Sequence, residues 1–252
     1  MSMESTTTVA PAQAAHKRTD ALVVMPTFNE LQNLRKAVGG VRSVGYDVLV
    51  VDDNSPDGTG ELADELAASD PGVQVLHREA KLGLGSAYLA GFRWGLEQGY
   101  ELLVEMDADG SHRPEHLSSL VGAARQCGGL AIGSRYVTGG AIVGWGPARW
   151  LLSYGANLYS RTVLGMATRD VTSGYRCYTR QLLEQLDLDS VEAQGYSFQI
   201  EMAYRCVRLG GSLVELPILF EDRIAGKSKV SAGEIHKALL TVLRLRLNPS
   251  GV

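Results

Sequence analysis

Two aspartates one residue apart, Asp107 and Asp109, stand where the apolar run Leu102-Leu103-Val104-Glu105-Met106 gives way to Gly110-Ser111-His112. Side chains two residues apart point the same way in extended chain, so the two carboxylates can converge on one hard cation at the carboxyl edge of a sheet. Open α/β sheets bind their ligands at that edge. A divalent ion held by one or two carboxylates keeps open positions that suit the phosphate oxygens of a nucleotide. Taken alone, Asp-x-Asp is more often a polar turn closing a strand, so the chemistry depends on what the rest of the chain supplies.

The elements that must position this pair follow a strand–helix alternation. Ala21 to Met25 is a continuous apolar run expected for a strand buried on both faces. Asn29 then stands as a helix cap, with Leu31, Leu34, Ala37 and Val38 as the apolar face behind it. A second strand, Val48 to Val51, runs into Asp52-Asp53-Asn54-Ser55-Pro56-Asp57-Gly58-Thr59, and the next helix turns Leu62, Ala63 and Leu66 inward. The third strand spans 73–76, and a Gly-rich turn over 81–85 opens a helix running through Trp94. The strand before Asp107 is the fourth. Such alternation predicts an α/β fold, a Rossmann-like, mostly parallel sheet with helices on both faces. Three strand ends carry acids or amides: Asn29 and Glu30, Asp52 and Asp53, Asp107 and Asp109.

Composition excludes several classes. A formal net charge of −4 offers no basic excess for nucleic acid. The three cysteines are scattered and odd in number, which fits unpaired thiols in a reducing compartment. No apolar run approaches the roughly 20 residues of a membrane span. A nicotinamide-dependent dehydrogenase would need G-x-G-x-x-G after the first strand, where this chain has Pro26-Thr27-Phe28-Asn29-Glu30. Residues 1–19 are Ser/Thr/Ala/Gln-rich without periodicity and are expected to form a disordered tail, ahead of one domain over 20–247 and a short tail over 248–252.

Four stretches together carry a resemblance: Val24 to Glu30, Val50 to Thr59, Asp107-Ala108-Asp109, and Ile132-Gly133-Ser134-Arg135-Tyr136. They are similar to the inverting glycosyltransferases of family 2, which have the GT-A (nucleotide-diphospho-sugar transferase) fold. Asp170 to Arg176 and Phe220 to Lys229 resemble the dolichol- and polyprenol-phosphate mannose synthases within it, and the span-free style is similar to the actinobacterial ones. The motifs run in family order from about residue 20 to about 247.

The resemblance implies a metal-dependent mannosyl transfer from GDP-mannose to a polyprenyl phosphate. It implies that Pro26, Phe28, Glu30, Val51 and Asp53 line the nucleoside pocket. Asp107 and Asp109, with Ala108 between them in the nucleotide-binding loop, would hold Mg2+ or Mn2+ against the diphosphate. Arg135, Arg149, Ser153, Arg223 and Lys229 would grip the donor diphosphate and the acceptor phosphate. Two departures stand out: Ser111 where relatives often have a metal-binding glutamine, and Phe28 where tyrosine is frequent. The shared motifs leave open a UDP-sugar donor, such as glucosyl transfer to undecaprenyl phosphate; a non-catalytic binding subunit fits less well, since the whole metal and phosphate set is present.

An acceptor phosphate is already ionised at neutral pH, so no general base is nominated, and His112, His116 and His236 are expected at the surface or in caps. Each basic residue also has a plain structural alternative: Arg135 paired with a surface acid, Arg149 stacked on Trp145 or Trp150, and the 222–230 segment a solvated loop rather than a lid. The Trp145–Tyr159 stretch and the final helix, about Ala232 to Leu247, mix apolar and basic residues. The final helix reads first as an ordinary amphipathic closure, with Ile235, Leu239, Val242, Leu243 and Leu247 on one face. Both stretches also suit peripheral contact at the cytoplasmic face of the membrane, directly or through an integral membrane partner.

Overall fold

The computed structural model describes residues 18–191, 195–222 and 232–248. In chain order the elements are β1 (Ala21–Thr27), α1 (Leu31–Ser43), β2 (Asp47–Asp52), α2 (Thr59–Ser69), β3 (Val73–His77), α3 (Leu84–Glu97), β4 (Leu102–Glu105), α4 (Leu117–Cys127) and β5 (Leu130–Ser134). They continue as β6 (Ala141–Val143), α5 (Pro147–Leu164), β7 (Arg176–Thr179), α6 (Arg180–Gln185), α7 (Tyr196–Arg208), β8 (Leu213–Pro217), β9 (Leu219–Glu221) and α8 (Ala232–Leu247). The main sheet has the order β3-β2-β1-β4-β7-β5-β8. It is parallel except at β7, which runs antiparallel to both β4 and β5. Sequence analysis did not place this reversed strand. A separate two-stranded parallel ribbon joins β6 to β9.

Strand alternation sorts the core into two layers. Val23, Met25, Val48, Val50 and Val104 face α1, α2 and α4, while Leu22, Val24, Leu49, Val51 and Leu103 face α3 and α7. A third cluster, including Met166, Ile200, Tyr204, Val242 and Leu245, is built where α5, α7 and α8 meet. Glu201 on α7 is buried and bonds Arg205 at 2.7 Å and Arg244 of α8 at 3.0 Å, which ties the last helix down. The amphipathic closure is therefore present, with a different face. Val242 and Leu245 point inward, and Leu239, Leu243 and Leu247 are exposed.

The start of α1 corrects a second expectation. Asn29 lies outside the helix at φ 61°, and Glu30 occupies the cap position without its side chain accepting a capping bond from a helix amide. The orphan amides are satisfied from the neighbouring loop instead: the N–H of Asn29 donates to Ser55 Oγ, that of Glu30 to Thr59 Oγ1, and that of Leu31 to an Asp57 carboxylate oxygen. Asp52 in turn accepts from Thr27 Oγ1 and from Ser55. The loops after β1 and β2 are thus locked to each other, and Leu31, expected inside, is exposed.

Helix α3 docks unusually close to the sheet because glycines face it. A Cβ on Gly91 would fall 2.3 Å from Val24 Cγ1, and one on Gly95 would fall 2.4 Å from Leu103 Cδ2. Gly91→Ala should therefore push the helix off β1 and cost about 1–3 kcal/mol, read as a lowered urea midpoint with an unchanged slope.

Candidate functional site

The carboxyl ends of β2, β1 and β4 are neighbours in the sheet, so the three acidic strand ends stand side by side on one edge. Asp109 is almost fully buried, and its Oδ1 accepts both the backbone N–H of Ser111 at 3.0 Å and the Ser111 hydroxyl at 2.6 Å. Ser111 thus closes the turn through Asp109. The Asp107 carboxylate accepts the Tyr88 hydroxyl at 2.8 Å, and the Asp107 N–H donates to His112 Nδ1 at 3.0 Å. That bond makes His112 Nδ1 an acceptor. His112 is buried, stacked on Tyr175 at 4.8 Å, rather than on the surface as expected. His116 accepts the Leu219 N–H, and His236 is exposed.

Among the described residues no group of three or more His, Cys, Asp or Glu gathers as a metal cage. Two carboxylates in one anchored loop match the donor set for Mg2+ or Mn2+, which take one or two carboxylates and fill the remaining positions with phosphate oxygens and water. The chemistry of the loop therefore fits a divalent ion shared with a diphosphate.

Behind the loop lies a polar cluster that sequence analysis missed. Glu105 is fully buried at the end of β4, with Gln199 Nε2 donating to it at 2.6 Å. Arg176, also fully buried, donates to the carbonyls of Ser173, Gln199 and Val171. Burial pushes the Glu105 carboxyl up to about 7 against the opposing pull of Arg176 and Gln199. With the folded value raised from 4.5, the stability this acid contributes is complete below that pH and is lost as pH rises through about 7. Glu105→Gln should flatten that loss, as measured by urea unfolding at pH 5 and pH 8. The signal in the sequence was a lone charge inside an apolar strand.

The nucleoside-pocket candidates divide. Pro26 and Phe28 are partly exposed at the end of β1, and Lys81 Nζ sits 3.9 Å above the Phe28 ring. Asp53 lies 2.9 Å from Arg78, and burial raises its carboxyl despite that cation and the amides of Leu82 and Gly83. The loop after β3 therefore closes over the ends of β1 and β2, which sequence analysis did not foresee. Glu30 accepts from Asn33 Nδ2. Val51 and Ala108, the remaining candidates, have buried side chains, so any contact they make with a nucleoside would come from their backbone.

The phosphate-binding candidates are also partly gathered. Arg135 makes a bidentate pair with the fully buried Asp170, at 2.8 and 2.7 Å, and reaches Thr172 Oγ1 at 2.8 Å. Burial alone would raise the Asp170 carboxyl; the Arg135 guanidinium outweighs it and holds the acid below its ordinary range. Arg149 bonds Asp222 at 2.7 Å and lies 4.2 Å over Trp145, while Trp150 stacks on Tyr154 instead. Ser153 Oγ accepts the Tyr136 hydroxyl. Arg223 and Lys229, with all of the expected lid beyond Asp222, lie outside the described residues.

Arg135, Trp145, Arg149 and Ser153 share the wall of a cavity of about 580 Å³, continued by Leu151, Leu152, Ile200 and Leu239. Phe220 links it to the aspartate loop, its ring 5.4 Å from both Trp145 and the Arg135 guanidinium and 6.0 Å from His112. On the two helices that supply cavity wall, Trp150, Leu151, Tyr154 and Leu158 of α5 and Leu240, Leu243 and Leu247 of α8 are exposed. No helix among the described residues is long and apolar enough to cross a membrane.

Comparison with known proteins shows the family and the fold. The model of the family described as glycosyl transferase family 2 matches residues 22–187. An undecaprenyl-phosphate mannosyltransferase of Micrococcus luteus is 51% identical over 225 residues, covering 88% of this chain and 92% of its own. A polyprenol monophosphomannose synthase of Mycolicibacterium smegmatis is 52% identical over 242 residues, covering 95% of this chain and 89% of its own. Among solved structures, a mannosyltransferase from Pyrobaculum calidifontis in complex with GDP-Man and Mn2+ superposes with a TM-score of 0.55 at 16% identity, over 96% of this chain and 79% of that one.

Proposed function

The chain belongs to glycosyl transferase family 2 and is a glycosyltransferase of GT-A fold, and from that premise we propose that it moves mannose from GDP-mannose to a polyprenyl monophosphate with inversion. The observation that carries the acceptor is the cavity: an apolar space beside Arg135 and Arg149, linked by one aromatic ring to the aspartate loop. Its volume of about 580 Å³ suits a hydrocarbon segment behind a phosphate headgroup. The names of the two half-identical relatives support mannosyl transfer to a polyprenyl phosphate.

In this reaction an acceptor phosphate oxygen attacks the anomeric carbon as the bond from that carbon to the donor diphosphate breaks, and GDP leaves with the electron pair. The nucleophile is ionised at neutral pH, so no side chain has to take a proton. When bound, Mg2+ or Mn2+ at Asp107 and Asp109 supplies charge neutralisation to the departing diphosphate. Ser111 holds Asp109 in the turn that presents it. Asp53, Phe28 and the loop carrying Arg78 and Lys81 seat the nucleoside. Arg149 faces the acceptor phosphate, with Arg135 fixed beside it by Asp170. Arg223 and Lys229 belong to the same proposed cationic set. The exposed apolar rim of α5 and α8 rests on the cytoplasmic face of the membrane, where Trp, Tyr and Arg suit the interface, alone or beside an integral partner.

The test uses labelled GDP-mannose, a polyprenyl phosphate in detergent and Mg2+, scoring label in the organic phase. Label there supports the reading; a folded protein stabilised by UDP and not by GDP in thermal shift overturns the mannose donor.

A further inference from the structure

Tyr88 is a fully buried residue of α3 whose hydroxyl the chain spends on Asp107. Its place follows from the packing. Gly91 and Gly95 let α3 approach Val24 and Leu103 at distances no side chain would allow. Tyr88 lies one turn before Gly91, on the same face and nearer the carboxyl edge of the sheet. There its ring stacks on Phe198 at 6.2 Å and 6°, and against Phe92 at 6.2 Å. The ring is held from both sides, so the hydroxyl has one reach, and that reach ends on Asp107 Oδ1 at 2.8 Å.

From this geometry we propose that Tyr88 is a positioning residue for the divalent-ion site, fixing the plane of the Asp107 carboxylate as it meets the ion. The inference rests on the reading of Asp107 and Asp109 as the ion's ligands. A carboxylate with both oxygens in water samples many orientations, whereas one bonded from a rigid phenol keeps a single presentation. Partners behind a ligand typically govern metal affinity by about 10–100-fold when removed. The backbone of Asp107 is held independently by His112, so the loop keeps its course without the hydroxyl.

The test is Tyr88→Phe, which removes one oxygen and keeps the stacked ring. Mn2+ affinity is read by electron paramagnetic resonance of free Mn2+ in the presence of GDP, and GDP affinity is read separately with chelator. The expected result is a loss of Mn2+ affinity of about ten-fold with chelator-state GDP affinity unchanged. A second measurement adds Tyr88→Phe to Asp107→Ala, where no further loss of Mn2+ affinity is expected. Unchanged Mn2+ affinity in the single variant overturns the proposal while leaving the ion site standing, as does an equal loss of GDP affinity in chelator, which would mark a purely structural role. Absence of Mn2+ binding by the wild type with GDP would instead remove the ion site itself, and this inference with it.

Discussion

Asp109→Ala is expected to lower transfer to the lipid acceptor by roughly a thousandfold, the scale on which losing a preorganised charge-stabilising group acts. The same carboxylate does two jobs, since its Oδ1 also closes the turn onto Ser111. Losing those two bonds costs stability on the order of 1 kcal/mol each, too little to account for a thousandfold loss of rate. Asp109→Asn separates the jobs. The amide oxygen still accepts from Ser111, but the charge is gone, so the rate should fall nearly as far while the unfolding midpoint stays close to that of the wild type. Organic-phase label and urea unfolding on the same preparations decide the matter. A rate within ten-fold of wild type in either variant would show that charge at Asp109 is not what stabilises the leaving diphosphate.

The largest effect on stability should come from Asp170. Its carboxylate is fully buried and takes the Arg135 side chain on both oxygens and the Arg135 backbone N–H at 2.9 Å. Asp170→Ala leaves a buried guanidinium without its counter-charge, a change worth about 3–5 kcal/mol. The pair persists to low pH: with the folded acid below its ordinary 3.8, its stabilisation is present above that value and lost as pH falls through the depressed one. Chemical unfolding at pH 7 should show the full loss. A cost below about 1 kcal/mol, the scale of an exposed ion pair, would mean that solvent reaches Arg135 far more freely than its burial implies.

What was legible in the chain was whatever depends on local spacing. The apolar runs of β1, β2 and β4 and the acids at their ends were readable because a strand buried on both faces leaves an uninterrupted apolar signature. Asp107 and Asp109 could be placed at the end of β4 for the same reason. Residues whose role depends on a partner distant in sequence were not. Asp170 looked like part of a motif until it met Arg135 across 35 positions, and Tyr88 drew no reading of its own before its hydroxyl met Asp107. The burial of the Val51 and Ala108 side chains was not legible either: proximity in sequence to the edge does not say which way a strand or loop turns a side chain. Leu31 and Asn29 were misplaced because the start of α1 is capped by the following loop, a tertiary arrangement that no helical period encodes.

The reversed strand β7 has a consequence for how the protein comes off the ribosome. β4 pairs on one side with β1 and on the other with β7, both far along the chain from it. When β4 has emerged, β1 and β2 are waiting and its first edge closes at once. Its second edge, bearing Leu103 and Val104, stays open until Arg176 to Thr179 has been synthesised. A nascent chain stalled between these points carries the aspartate loop on an unpaired, apolar strand, the form of edge most prone to pair with another chain. Truncations ending before β7 should therefore aggregate, and those ending after it should not do so by this route.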